Sequence, residues 1–115
     1  MKRIKNHFFK NGLKYVLLER TEKVAFFGIK GEYTDKIITY EVDRIYKRKA
    51  NSFISYDREF IPSNLIFGKD GSLHIHNYEI AHKYFVELNN LLCSFDKNKE
   101  LMVYIKKLQS SLGII

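Results

Sequence analysis

A chain of 115 residues is the size of one domain, and its 45% apolar and 15% aromatic content supplies a core without help from disulfides or metal. A single cysteine, Cys93, excludes an intramolecular disulfide, and no run reaches the roughly 18 apolar residues of a membrane span. The net charge of +7 is segregated: residues 1–49 hold thirteen Lys/Arg against six Asp/Glu, whereas residues 50–115 hold seven of each.

Taken in chain order, the first half reads as strands. Residues 1–7 are basic but contain no apolar stretch long enough for a secretory signal, so a cytoplasmic protein is expected. Residues 4–10 and 13–20 are β-prone runs separated by Asn11 and Gly12, the strongest short-range hairpin signal, because a type I′ turn needs positive φ at both central positions. Thr21 and Glu22 precede a third run, 23–30, and a polar connector from Gly31 leads to a fourth, 36–46. Short connections force antiparallel neighbours, which predicts a meander. In the fourth run Ile38, Tyr40 and Val42 alternate with Thr39, Glu41 and Asp43, the pattern of a half-exposed strand.

Residues 50–76 are rich in turn chemistry and punctuated by apolar side chains, among them Phe53, Ile54, Tyr56, Phe60, Leu65 and Phe67. They are expected to pack down, with short strands at 53–56 and 73–75. Beyond them Asn77 is a good N-cap, with Glu79 in the first turn. Ala81, Tyr84, Phe85, Leu88, Leu91 and Leu92 recur at helical spacing. Asp96 is placed to cap a second helix carrying Leu101, Ile105, Leu108 and Leu112, which Gly113 would end. Cys93, at the end of the apolar pattern, reads as an inert buried thiol. The expected fold is α+β in one domain, residues 1–115. A meander of four to five strands, centred on the basic region 1–49, is packed by two helices within 77–112.

Few residues point to catalysis. His74 and His76 would share one strand face, with His82 a helical turn past the cap, but no acid or cysteine is locked to them at a ligand spacing. Ser52, Ser55, Ser63 and Ser72 lie in no nucleophile elbow, and Cys93 has no local base. The carboxylate pairs Glu41 with Asp43 and Asp57 with Glu59 read as solvated strand-face residues. Gly28, Gly31, Gly68 and Gly71 form no phosphate loop. No catalytic residue, metal ligand or cofactor is assigned.

The basic cluster is the most suggestive feature. Arg44, Lys47, Arg48 and Lys49, with Tyr40 and Tyr46 alongside, combine cations for phosphates with rings that can stack on unpaired bases. Lys2, Arg3, Lys5, Lys10 and Lys14 could extend that surface. The same cluster also fits an acidic or nucleoprotein partner, or an edge strand protected from aggregation by its charge.

Several short motifs, in order, resemble small uncharacterised proteins of Bacteroidetes phages and mobile elements. They are Leu18-Glu19-Arg20-Thr21-Glu22-Lys23-Val24-Ala25, Tyr40-Glu41-Val42-Asp43-Arg44-Ile45, Ile61-Pro62-Ser63-Asn64, Phe67-Gly68-Lys69 and Ala81-His82-Lys83-Tyr84-Phe85. The resemblance covers residues 15–88. Members of that group carry acidic residues after Pro-Ser-Asn, where this chain has Leu65 and Ile66. The resemblance implies no catalytic residues. It implies a phage accessory factor, a class in which stoichiometric inhibitors of host defence nucleases, such as anti-CRISPR proteins, are common.

Three functions follow as expectations. The first is a non-enzymatic protein that docks on a nucleic-acid-handling protein or nucleoprotein complex as an inhibitor. The second is direct binding of RNA or single-stranded DNA. The third is a small metal-dependent enzyme using His74, His76 and nearby acids.

Overall fold

The computed structural model describes residues 1–64, 66–95 and 99–114. Its elements are β1 (His7–Lys10), β2 (Leu13–Arg20), β3 (Val24–Lys30), β4 (Ile37–Arg44), β5 (Tyr46–Arg48), β6 (Arg58–Phe60), β7 (Leu73–Ile75), α1 (Tyr78–Phe95) and α2 (Leu101–Ser111). Five strands form an antiparallel sheet in the order β1-β2-β3-β4-β7, and β5 pairs with β6 in a separate two-stranded ribbon. With both helices packed on one face of the sheet, this is the α+β fold that the periodicities predict.

The local signals act as expected where the chemistry is local. Asn11 (φ 54°) and Gly12 (φ 78°) make the tight β1–β2 turn, and Lys10 pairs with Leu13 directly across it. The Asn77 side chain accepts the Ile80 N–H at 3.0 Å, capping α1. α2 ends in a Schellman motif: Ile114 N–H donates to the Gln109 carbonyl and Gly113 N–H to that of Ser110, with Gly113 at φ 73°. Glu100 holds the N-cap position of α2 without a side-chain capping bond. The cap expected from Asp96 lies outside the described residues.

Strand β3 is buried from Val24 to Ile29, so the sheet has a core on each face. Val24 and Phe26 face the helices and pack with Val42, Ile75, Tyr84, Leu88 and Ile105. Ala25, Phe27 and Ile29 face the other way, where Tyr15 joins them and Ile4, Phe8, Ile45 and Ile61 pack over them. Among the described residues no helix covers this second core. The N-terminal segment and the β5–β6 ribbon do, clamped by Arg20, which donates two 2.8 Å hydrogen bonds to the Glu59 carboxylate.

Four expectations are corrected. The run 36–46 is not one strand: it breaks at Ile45, whose side chain turns into the second core and whose N–H donates to Lys23. Residues 53–56 are not a strand, because the Asn51 side chain accepts the N–H groups of Phe53 and Ile54 and holds a local turn; the strand follows as β6. The face of β4 that carries Glu41 and Asp43 is not exposed, since both are buried as deeply as Val42, whereas Ile38 on the face expected inside is exposed. Cys93 is exposed, one position beyond the buried stripe that ends at Leu92.

Candidate functional site

The structure divides the predicted basic residues among three places. Lys2, Arg3 and Lys5 come together with Arg58 around a cleft of about 370 Å³. Its walls carry Phe8, Tyr56 and Phe60 over an apolar floor of Ile4 and Ile61. β6 builds one wall, because Arg58 and Phe60 fall two apart on the strand and share a face, and Tyr56 lies beside them just before it. Across the ribbon Tyr46 stacks on Phe60 (5.5 Å between centroids), and the Arg48 guanidinium lies 4.8 Å from the Phe60 ring. Lys2 Nζ sits 5.7 Å over Tyr56. Cations and rings are thus interleaved along one groove.

A second group is bound up in internal contacts. The Tyr46 hydroxyl donates to Asp70 (2.6 Å), and burial together with that bond raises its pKa. Arg44 donates to the Asp70 carbonyl and covers the Tyr46 ring. Lys47 and Arg3 both pair with Glu22, at 3.0 and 3.1 Å, an exposed arrangement of small energetic weight. Lys49 is exposed at the end of the ribbon.

The third group leaves the basic surface altogether. Tyr40 lies among the helix-side residues, 5.7 Å from Phe26 and 5.4 Å from Tyr78, because strand parity puts it opposite Glu41. Lys14 borders a separate hollow with Phe9 and Tyr33. Lys10 reaches over the Tyr15 and Phe67 rings to within 3.8 Å of Glu41.

Lys10 thereby reaches a feature that the sequence reading misplaces. Glu41 and Asp43, expected in solvent, are both 0% exposed on the second face of the sheet. Glu41 Oε2 takes the Tyr15 hydroxyl at 2.9 Å and His74 Nε2 at 2.6 Å. Burial alone would raise the Glu41 pKa, but the bonds from His74, Asp43 and Tyr15 outweigh it and hold the carboxyl below its ordinary value. Asp43 moves the other way, pushed up to about 10 by burial and by Glu41 beside it. Ionised, both Asp43 oxygens would lack a donor. Neutral, Asp43 supplies the proton that the two carboxyls share. Of the other expected pair, Glu59 is buried against Arg20, while Asp57 stays exposed and accepts the Ala50 N–H.

The three histidines do not converge. His74 is held by Glu41, His76 Nδ1 lies 3.0 Å from Thr39 Oγ1, and His82 Nε2 lies 2.9 Å from Glu19. Among the described residues no group of three or more His, Cys, Asp or Glu side chains is placed to hold a metal ion, and no helix is long and apolar enough to cross a membrane.

Phe8, Tyr56, Arg58 and Phe60 are the cleft residues that the sequence reading overlooks. The period-two order aromatic-cation-aromatic at 56, 58 and 60 is the signal that identifies one wall, whereas Phe8 joins through tertiary packing alone. No protein-family model, curated protein or solved structure matches the chain.

Proposed function

We propose that the chain is a binding protein for single-stranded nucleic acid, which lies in the cleft between the N-terminal segment and the β5–β6 ribbon. The observation that carries this reading is the cleft itself, with Lys2, Arg3, Lys5 and Arg58 set among Phe8, Tyr56 and Phe60. Cations neutralise phosphates, and rings stack on bases whatever their identity, each stacked base contributing about 1–3 kcal/mol. A duplex buries its base faces within its own stack, so rings in a groove favour an unpaired strand.

The test is the affinity of the purified protein for a fluorescent single-stranded 12-mer, read by anisotropy. Lys2→Glu/Lys5→Glu is expected to weaken binding by at least tenfold while leaving the thermal transition in place, because both side chains are exposed. Unchanged affinity in that variant would reject the cleft.

A second reading keeps the chain as a docking inhibitor of a nucleoprotein complex, of the phage or mobile-element type that the resemblance implies. The observation that favours it is apolar: Phe9 is 75% and Tyr33 94% exposed at the rim of one hollow. Large exposed apolar rings grouped at one rim suit burial against a protein partner.

A further inference from the structure

Three cations stand at neighbouring register positions where the N-terminal segment, β6 and β5 run side by side. Arg48 and Arg58 are directly opposite in the ribbon, so their side chains leave the same face, with Cβ atoms about 5 Å apart. On the other side of β6, Lys2 is the bridge partner of Arg58: its N–H donates to the Asp57 carbonyl and its carbonyl accepts the Glu59 N–H, each at 2.8 Å. Bridge partners share a face, which makes Arg58 the centre of a row running from Lys2 to Arg48. Rings flank that row, with Lys2 Nζ over Tyr56 and the Arg48 guanidinium over Phe60.

Like charges placed directly opposite one another destabilise a ladder. The neighbouring register pair of the same ribbon, Lys47 with Glu59, has opposite signs. Among the described residues no carboxylate forms an ion pair with Lys2, Arg48 or Arg58. The two acids adjacent in sequence are engaged elsewhere: Asp57 accepts the Ala50 N–H, and Glu59 takes both hydrogen bonds of Arg20. Arg58 Nη1 is buried and has no hydrogen-bond partner among the described residues, an orphaned donor that costs stability until an acceptor reaches it. The row is thus a concentration of positive charge that the chain itself does not answer.

We propose that this row seats a terminal phosphate, so that the cleft takes a single strand by its phosphorylated end. Lys2 and Arg58 line the cleft, and Arg48 adjoins it across the Phe60 ring. An internal phosphodiester offers two non-bridging oxygens and a single negative charge. A terminal phosphomonoester offers three such oxygens and a charge of about −1.5 to −2 at pH 7. Three adjacent cations, two of them guanidinium forks that match phosphate oxygens in pairs, fit the second group better. Tyr56 and Phe60 stand beside the row, where the first base beyond the phosphate can stack.

The inference rests on the single-strand reading of the cleft, and the test separates the two. A 12-mer labelled on an internal base is made with a 5′-phosphate, with a 3′-phosphate, or with hydroxyls at both ends. The affinity of the purified full chain for each is read by anisotropy at one salt concentration. A phosphorylated strand should bind at least about tenfold tighter than the hydroxyl strand, and the 5′ and 3′ arms tell which terminus supplies the group. Arg58→Gln should cut that ratio at least about threefold. Arg48→Gln should do the same, and its side chain is exposed, so the fold does not depend on it. Equal binding of all three strands overturns this inference and leaves the cleft reading standing. A ratio unchanged in both variants puts the phosphate elsewhere and overturns it as well. Failure to bind any of the three overturns the cleft reading and this site together.

Discussion

Asp43 illustrates how far a single residue's environment can move its chemistry. In the folded chain it keeps its proton to about pH 10, whereas unfolded it loses it near pH 4. The folded state therefore carries the extra proton throughout that window, and the Asp43 contribution to stability falls as pH rises across it. Glu41 has the opposite sign. Its folded pKa lies below the ordinary value, so its contribution is present above that value and is lost as pH falls through the lowered one. Asp43→Asn keeps the side chain's size, gives Glu41 a permanent donor and removes the titration. Chemical denaturation at pH 6, 7.5 and 9 should show the variant gaining on the parent by up to about 1.4 kcal/mol per pH unit. Parallel curves for the two proteins would mean that Asp43 is ionised in the fold. None of this is legible in the sequence, because a carboxylate pair two apart reads as a solvated strand face. Its partners, Lys10, Tyr15 and His74, arrive from three other strands.

At the scale of the element, legibility follows locality. The Asn11–Gly12 turn, the Asn77 cap and the Gly113 terminus are each decided by a few adjacent residues, and the sequence places them correctly. The break at Ile45 is decided by a core that forms from distant segments, and the alternation on either side of it gives no warning. The same distinction separates two glycines of one loop. Gly68 (φ 85°) has open space where a Cβ would stand. Gly71 (φ 98°) does not: a Cβ there would lie 3.3 Å from the Ile105 side chain and 3.4 Å from the Tyr84 hydroxyl. That hydroxyl donates to the Gly71 carbonyl and accepts from Gln109, joining the loop to both helices. Gly68→Ala is expected to cost about 1 kcal/mol, the strain of the backbone alone. Gly71→Ala should cost about 2–3 kcal/mol, since packing strain adds to it. Thermal denaturation of the two variants checks the order, and equal losses would show that the loop relaxes around the new methyl.

At the scale of the molecule, a sheet with two cores leaves its faces unequal. Helices seal one face with apolar side chains, while the other is closed by the N-terminal segment and a small ribbon that bring cations to its surface. The charge segregation visible in the sequence lies in the N-terminal half, and three of the lysines and arginines named from it, Lys2, Arg3 and Lys5, line the cleft. Its remaining wall comes from residues 56–61, in the half whose net charge is zero, and sequence position alone could not join the two. The proposed function requires that this cleft take a single strand. The most direct measurement is a map of backbone amide shifts in the isotope-labelled protein as a single-stranded oligonucleotide is added. A strand in the cleft should give perturbations concentrated at residues 2–8 and 56–61, diminishing as salt is raised. Perturbations centred instead on Phe9 and Tyr33, or none at saturating oligonucleotide, would contradict it.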